Sequence, residues 1–141
     1  MKIKEVMTTD VETCHPDTPL YEVASKMKEL DVGVIPICQN DELVGLATDR
    51  DLIIKGMADQ LPIDAPVSQV MTGDPVRGSI HMSAEEAADL MADVQIRRLP
   101  IVDDRKLIGI VSLGDLAVNE QVNEDAGQAL EDISFPSEPN N

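Results

Sequence analysis

The sequence predicts a mixed α/β (α+β) fold made of two repeats, each a small sheet with helices packed on it. Two observations predict it. Laid on itself 64 positions further along without a gap, the segment 6–52 matches at 13 of 47 pairs, against roughly 3 expected from ordinary residue usage. Each copy also alternates helix-period apolar segments with short β-rich runs in the same order.

The identities include Val6-Met7-Thr8 with Val70-Met71-Thr72, Pro36-Ile37 with Pro100-Ile101, and Gly45 with Gly109. In the first copy, Leu20, Val23, Ala24, Met27 and Leu30 follow Thr18-Pro19 at helical spacing, a capping residue and then a proline suited to a first turn. The matching helix opens with Ser83-Ala84-Glu85-Glu86, a capping-box pattern, and carries Ala84, Ala87, Ala88, Met91 and Val94 on one face. Apolar runs at 32–38 and 43–48, and again at 96–102 and 107–112, flank polar turns at 39–42 and 103–106. Each pair predicts a hairpin. Pro36 and Pro100 fall inside the first strand of each hairpin, where they cannot donate to a ladder, so that strand belongs at an edge or carries a bulge. A second helix is expected from Asp49 or Asp51 to about Ala58, with a counterpart from Asp115 to about Val122. The domain reading is repeat one at 1–59, a linker at 60–66 that holds two prolines, repeat two at 67–118, and an acidic helix and disordered tail at 119–141.

At 141 residues each half has about 60, a size at which a lone core is marginal, so the halves are expected to pack on each other. Tyr21 and Phe135 are the sole aromatic residues, which leaves Val, Ile, Leu, Met and Ala to build the core and no platform for stacking bases of a single strand. The net charge of −16 repels phosphate backbones and anionic membranes. Nucleic acid and membrane surfaces are therefore excluded as expected partners. Yet four of the five arginines, Arg50, Arg77, Arg97 and Arg98, lie in or beside repeated motifs, which allows a locally positive pocket. No apolar run approaches the roughly 20 residues of a membrane span, and Met1-Lys2-Ile3-Lys4-Glu5 lacks the apolar centre of a signal peptide. The expected location is the cytoplasm. Cys14 and Cys38 occupy non-equivalent positions of one repeat and form no disulfide or metal pattern; Cys38 is expected as a small filler in a buried strand. Met7 and Met71 read as core, and His15 and His81 as exposed loop residues.

One constellation recurs. A hydroxyl and a carboxylate stand three apart where the second hairpin strand meets a helix, Thr48 with Asp51 and Ser112 with Asp115, so both can face one ligand. A carboxylate there can accept both hydrogen bonds of a ribose diol, while the hydroxyl and the helix-start amides suit another sugar oxygen or a phosphate. Pro36 and Pro100 would leave the backbone groups of Val34-Ile35 and Arg98-Leu99 free to read a base edge, with Ile35 and Leu99 covering its faces. The same residues can also be plain helix caps. Asp49-Arg50-Asp51 suggests an ion pair about Arg50 in preference to a metal site. No nucleophile–base pair and no zinc-ligand spacing is visible, so an enzyme is not expected and no cofactor is required.

With Arg97-Arg98-Leu99-Pro100-Ile101-Val102-Asp103, these motifs resemble a pair of CBS domains, the Bateman module named after cystathionine β-synthase, over residues 1–118. Small stand-alone bacterial CBS-pair proteins are the nearest in kind. The resemblance implies two pseudo-twofold repeats, a flat homodimer, and adenosine-type ligands in two clefts between the repeats. Carried over, Thr48 and Asp51 hold ribose and phosphate with Val34, Ile35 and Pro36 around the base; Ser112 and Asp115 take those roles beside Arg98, Leu99 and Pro100. Thr13 and Arg77, equivalent positions, line the same clefts, and Arg50 belongs to the first. Because Asp49-Arg50 becomes Leu113-Gly114 and Val34 becomes Arg98, one cleft is expected to bind polyphosphate better; the sequence leaves open which. It also leaves open AMP, ADP, ATP, S-adenosylmethionine, NAD or a cyclic dinucleotide as ligand, and the regulated protein. The expected function is ligand sensing by population shift. The alternatives are an oligomerisation or interaction scaffold with empty clefts, or an adaptor using the acidic tail.

Overall fold

A computed structural model describes residues 1–117; the expected helix beyond Ala117 and the tail lie outside the described residues. The chain is mixed α/β. Its elements are α1 (Leu20–Leu30), β1 (Val34–Gln39), β2 (Glu42–Thr48), α2 (Asp49–Asp51, continued as a π-helix over Leu52–Met57), β3 (Thr72–Gly73), β4 (Gly78–Ser79), α3 (Ala84–Val94), β5 (Arg98–Asp103), β6 (Lys106–Ser112) and α4 (Leu113–Ala117). Single 3₁₀ turns at Ile3–Glu5 and Val67–Gln69 sit at the same offset of 64.

Two compact units result. One comprises 12–75 with 105–107 and is called here the Asp51 unit; the other, the Asp115 unit, comprises 1–11, 76–104 and the described residues from 108. Each unit takes its hairpin and long helix from one repeat and its opening segment from the other. In the Asp51 unit, β3 pairs with β2 through Gly45↔Gly73 and Leu46↔Thr72. In the Asp115 unit, Thr8 bridges Ile110 in the equivalent place. Two further bridges, Pro19↔Pro66 and Lys2↔Ser83, are the same contact with the copies exchanged.

A steric device explains two of the identities. A Cβ on Gly45 would lie 2.6 Å from Met71 Sδ and 3.0 Å from the Thr72 carbonyl oxygen, and one on Gly109 would lie 2.7 Å from Met7 Sδ and 2.8 Å from the Thr8 oxygen. Glycine lets the Val-Met-Thr segment lie flat on the hairpin, so the two motifs are halves of one contact. Met7 and Met71 are accordingly half-buried, each packed against a core.

The helices differ in how they start. Ser83 caps α3, accepting from the Glu86 amide at 3.0 Å while the Glu86 carboxylate accepts from Ser83 N–H at 2.9 Å, the expected box. Thr18 does not cap α1; the cap is Pro19, without a side-chain bond, and Thr18 Oγ1 instead accepts from the His15 amide. The α1 donors Leu20 and Tyr21 go to the carbonyls of Ala65 and Ile63 at 2.9 and 3.0 Å. Residues 63–65 of the expected linker are thus docked on the helix start. Both helices end alike, with Asp31 and Gln95 left-handed at φ 56° and 57° and bonds from Val32 N–H to Met27 and Ile96 N–H to Met91, the Schellman pattern.

Leu20, Val23 and Met27 of α1, and Ala84, Ala87, Ala88 and Met91 of α3, are buried as their spacing predicts; Ala24, Leu30 and Val94 are exposed. They fall where each apolar stripe drifts off its sheet. Cys14, not Cys38, is the buried cysteine, because Cys14 bridges Ile37 and shares its face. Both hairpins close on two left-handed residues, Asn40-Asp41 and Asp104-Arg105, the type I′ geometry that follows strand twist.

Candidate functional site

In the Asp51 unit, β1 and β2 pair with Val34↔Thr48, Ile35↔Ala47 and Pro36↔Leu46, with an irregularity between Ile37 and Cys38. Among the described residues the outer side of β1 is met only at Cys14, whose N–H donates to the Pro36 carbonyl at 3.1 Å and whose carbonyl accepts from Cys38 at 2.8 Å. Pro36 and Cys38 therefore point their backbone groups outward. By strand alternation so does Val34, and its N–H and C=O have no partner among the described residues. The open edge expected from the proline is real but narrower than expected. Ile35 turns its backbone toward β2, and its side chain is 1% exposed in the unit's core. It cannot cover the face of a base.

The Asp115 unit repeats this. β4 runs parallel to β5 with Gly78↔Ile101 and Ser79↔Val102, and Ile80 N–H donates to Val102 at 3.0 Å. Alternation then points the backbone groups of Arg98, Pro100 and Val102 outward, while the Pro100 side chain is buried. Leu99 is fully buried, so the correction for Ile35 applies to it as well. Arg98 keeps an edge-facing N–H and C=O without a partner among the described residues.

At the far end of each hairpin the hydroxyl and carboxylate close a capping box. Asp51 N–H donates to Thr48 Oγ1 at 3.0 Å, and Thr48 N–H donates to Asp51 Oδ2 at 3.0 Å. Asp115 N–H donates to Ser112 Oγ at 3.0 Å, and Ser112 N–H to Asp115 Oδ2 at 3.2 Å. The capping role is thus fulfilled in both copies. It does not exhaust the groups, since a carboxylate offers about four acceptor positions and a hydroxyl keeps its proton. The ion pair of Asp51 is with Lys55, whose Nζ lies 3.5 Å from Oδ1. The expected pairing about Arg50 does not form: Arg50 is exposed without an ion-pair partner among the described residues, and its amide donates to Asp49 Oδ1 at 2.8 Å.

The structure thus brings Thr13, Val34, Ile35, Pro36, Thr48, Arg50 and Asp51 into one unit, and Arg77, Arg98, Leu99, Pro100, Ser112 and Asp115 into the other. Thr13 adjoins the Cys14 bridge and is exposed; Arg77 adjoins Gly78 and is half-buried. A shallow groove of about 570 Å³ lies elsewhere in the Asp115 unit, lined by residues including Lys2, Lys4, His81, Ser83 and Glu86, and includes none of these residues. Burial pushes the Cys14 thiol up, and that of Cys38 up to about 11, so both stay protonated near neutral pH. No group of three or more His, Cys, Asp or Glu among the described residues is placed to hold a metal ion. No helix among them is long and apolar enough to cross a membrane.

A duplicated hairpin with an open edge at one side and a capped carboxylate at the helix start defines a two-repeat module in which both units carry the same arrangement. The CBS domain model matches residues 3–57 and 67–119, and the chain belongs to the CBS-domain family as a tandem pair. It is 49% identical over 132 residues, 94% of each chain, to the CBS domain-containing protein YhcV of Bacillus subtilis (strain 168). Hypoxic response protein I, solved with two coordinated zinc ions, matches at a TM-score of 0.77 and 30% identity, over 84% of this chain and 98% of that one. CBSX2, solved in complex with AMP, matches at a TM-score of 0.72 and 28% identity, over 81% and 91%.

Proposed function

We propose that this chain is a non-catalytic regulatory module that binds an adenosine-type nucleotide beside each hairpin and signals by shifting the population of its packings. The single observation that carries the reading is the pairing, in both units, of an unpartnered edge at Val34 or Arg98 with a carboxylate three residues beyond a strand-end hydroxyl. Capping alone needs no open edge. The AMP complex of CBSX2 supports an adenosine ligand. In the assignment, Val34 and Arg98 read the base edge through the backbone, Asp51 and Asp115 take the ribose diol, and Thr48 and Ser112 donate to a further oxygen. Signalling requires that the ligand favour one packing over another, because equal affinity shifts nothing.

A second reading, an interaction scaffold without ligand, is favoured by the closed capping boxes, which satisfy both carboxylates locally. A thermal-shift panel of AMP, ADP, ATP, S-adenosylmethionine and NAD separates the two. The sensor reading expects at least one compound to raise the melting temperature at millimolar concentration; no shift with any of them leaves the scaffold.

A further inference from the structure

We infer that the Asp115 unit, and not the Asp51 unit, selects the polyphosphate form of the nucleotide, with Arg97 as the selecting residue. This deepens the proposed nucleotide-binding reading and rests on it. The two units share a backbone plan at this point but invert its charge. Asp49 N–H donates to the Gly33 carbonyl at 3.0 Å, and Leu113 N–H donates to the Arg97 carbonyl at 3.0 Å, the same bond at an offset of 64. A Cβ on Gly33 would stand 3.3 Å from Asp49 Oδ2, so the side-chain space of that position is faced by a carboxylate. In the Asp115 unit the position is Arg97, exposed, and the carboxylate is replaced by Leu113, which is 1% exposed.

Neighbouring positions follow the same partition. Arg98 replaces Val34 on the outward-facing positions of β5. Continuing the pairing of β4 with β5 by one residue sets Arg77 beside Pro100, on the side of the strand shared with Arg98, where Thr13 stands in the first copy. At the positions matching Gly33 and Val34, the Asp115 unit therefore carries the exposed pair Arg97 and Arg98, and Leu113 where the other unit has the carboxylate of Asp49. At the matching place in the Asp51 unit Asp49 faces Gly33, and Lys55 is engaged with Asp51 at 3.5 Å. On a chain of net charge −16, two adjacent exposed guanidiniums are where a chain of phosphates finds planar, bidentate donors. A carboxylate facing the same space repels it.

The test uses the full chain and calorimetric titration with magnesium-free ATP and with AMP. Asp51→Asn leaves the Asp115 site to be measured, and Asp115→Asn leaves the other. The expected result is ATP over AMP by about tenfold or more in Asp51→Asn and near parity in Asp115→Asn, the size of one charge-assisted bond. Adding Arg97→Gln to Asp51→Asn should lower that preference about tenfold. The inference is overturned if the preference resides in Asp115→Asn, or if Arg97→Gln leaves it unchanged. If neither nucleotide binds the wild type, the underlying nucleotide reading fails, a result distinct from binding without the expected preference.

Discussion

Individual residues carry two kinds of information here, and the sequence exposed one better than the other. Spacing identified Thr48, Asp51, Ser112 and Asp115 as a recurring set, because identity and offset are written in the chain. It did not show that the carboxylates are engaged with the amides of Thr48 and Ser112, since a cap and a ligand contact use the same residue types. The burial of Ile35 and Leu99 was not legible from alternation, because Pro36 and Pro100 on the opposite face are buried as well. Gly45 and Gly109 lie inside the strand runs read from the sequence, and the reason they are glycine, a close contact with the Val-Met-Thr segment, appears only in the structure. Replacing either by alanine should cost about 1–3 kcal/mol by overpacking. Gly109→Ala should cost more, because the rigid Thr8 carbonyl is nearer, 2.8 Å against 3.0 Å for Thr72, and backbone yields less than a methionine sulfur. Urea unfolding of the two variants decides it; two unchanged midpoints would contradict the close approach.

Among the elements, both amphipathic helices and both hairpins were readable, because periodicity in the chain matches burial in the fold. The π-helical continuation over Leu52–Met57 was not, since no residue pattern separates it from an α-helix. The cap of α1 was misread for a related reason. Thr18-Pro19 is a good local signal, but carbonyls from 63–65 already take the first donors, and a contact across more than 40 positions leaves no local trace. The two helices should therefore respond differently to losing a hydroxyl. Ser83→Ala removes a true cap and should cost about 1 kcal/mol. Thr18→Ala should cost less than about 0.5 kcal/mol, as for a surface change. Equal losses in thermal or urea unfolding would show that α1 relies on Thr18 after all.

For the whole molecule, duplication predicted two alike units but not how they are assembled. The opening segment of each copy serves the hairpin of the other, with Thr8 on Ile110 and Thr72 on Leu46. A repeat fixes what a segment is and leaves open which of two like surfaces receives it. We propose that the homodimer implied by the resemblance forms through the Asp51 unit, where Ile53, Ile54, Met57 and Ile63 are 53%, 50%, 73% and 73% exposed, an unusual concentration for an isolated surface. If a second copy covers them, Ile54→Lys with Met57→Lys should shift the sedimenting species from dimer to monomer at micromolar concentration. A wild-type chain that sediments as a monomer would overturn that proposal.

The central claim is that each unit holds one adenosine ligand on its duplicated carboxylate. Calorimetric stoichiometry tests it most directly, using aspartate-to-asparagine changes that keep a capping oxygen and remove the charge. Two sites per chain are expected for the best-binding nucleotide of the panel in the wild type. One is expected in Asp51→Asn or Asp115→Asn at ligand levels below about ten times the wild-type Kd, and none in the double variant under those conditions. Two undiminished sites in the double variant would contradict the claim.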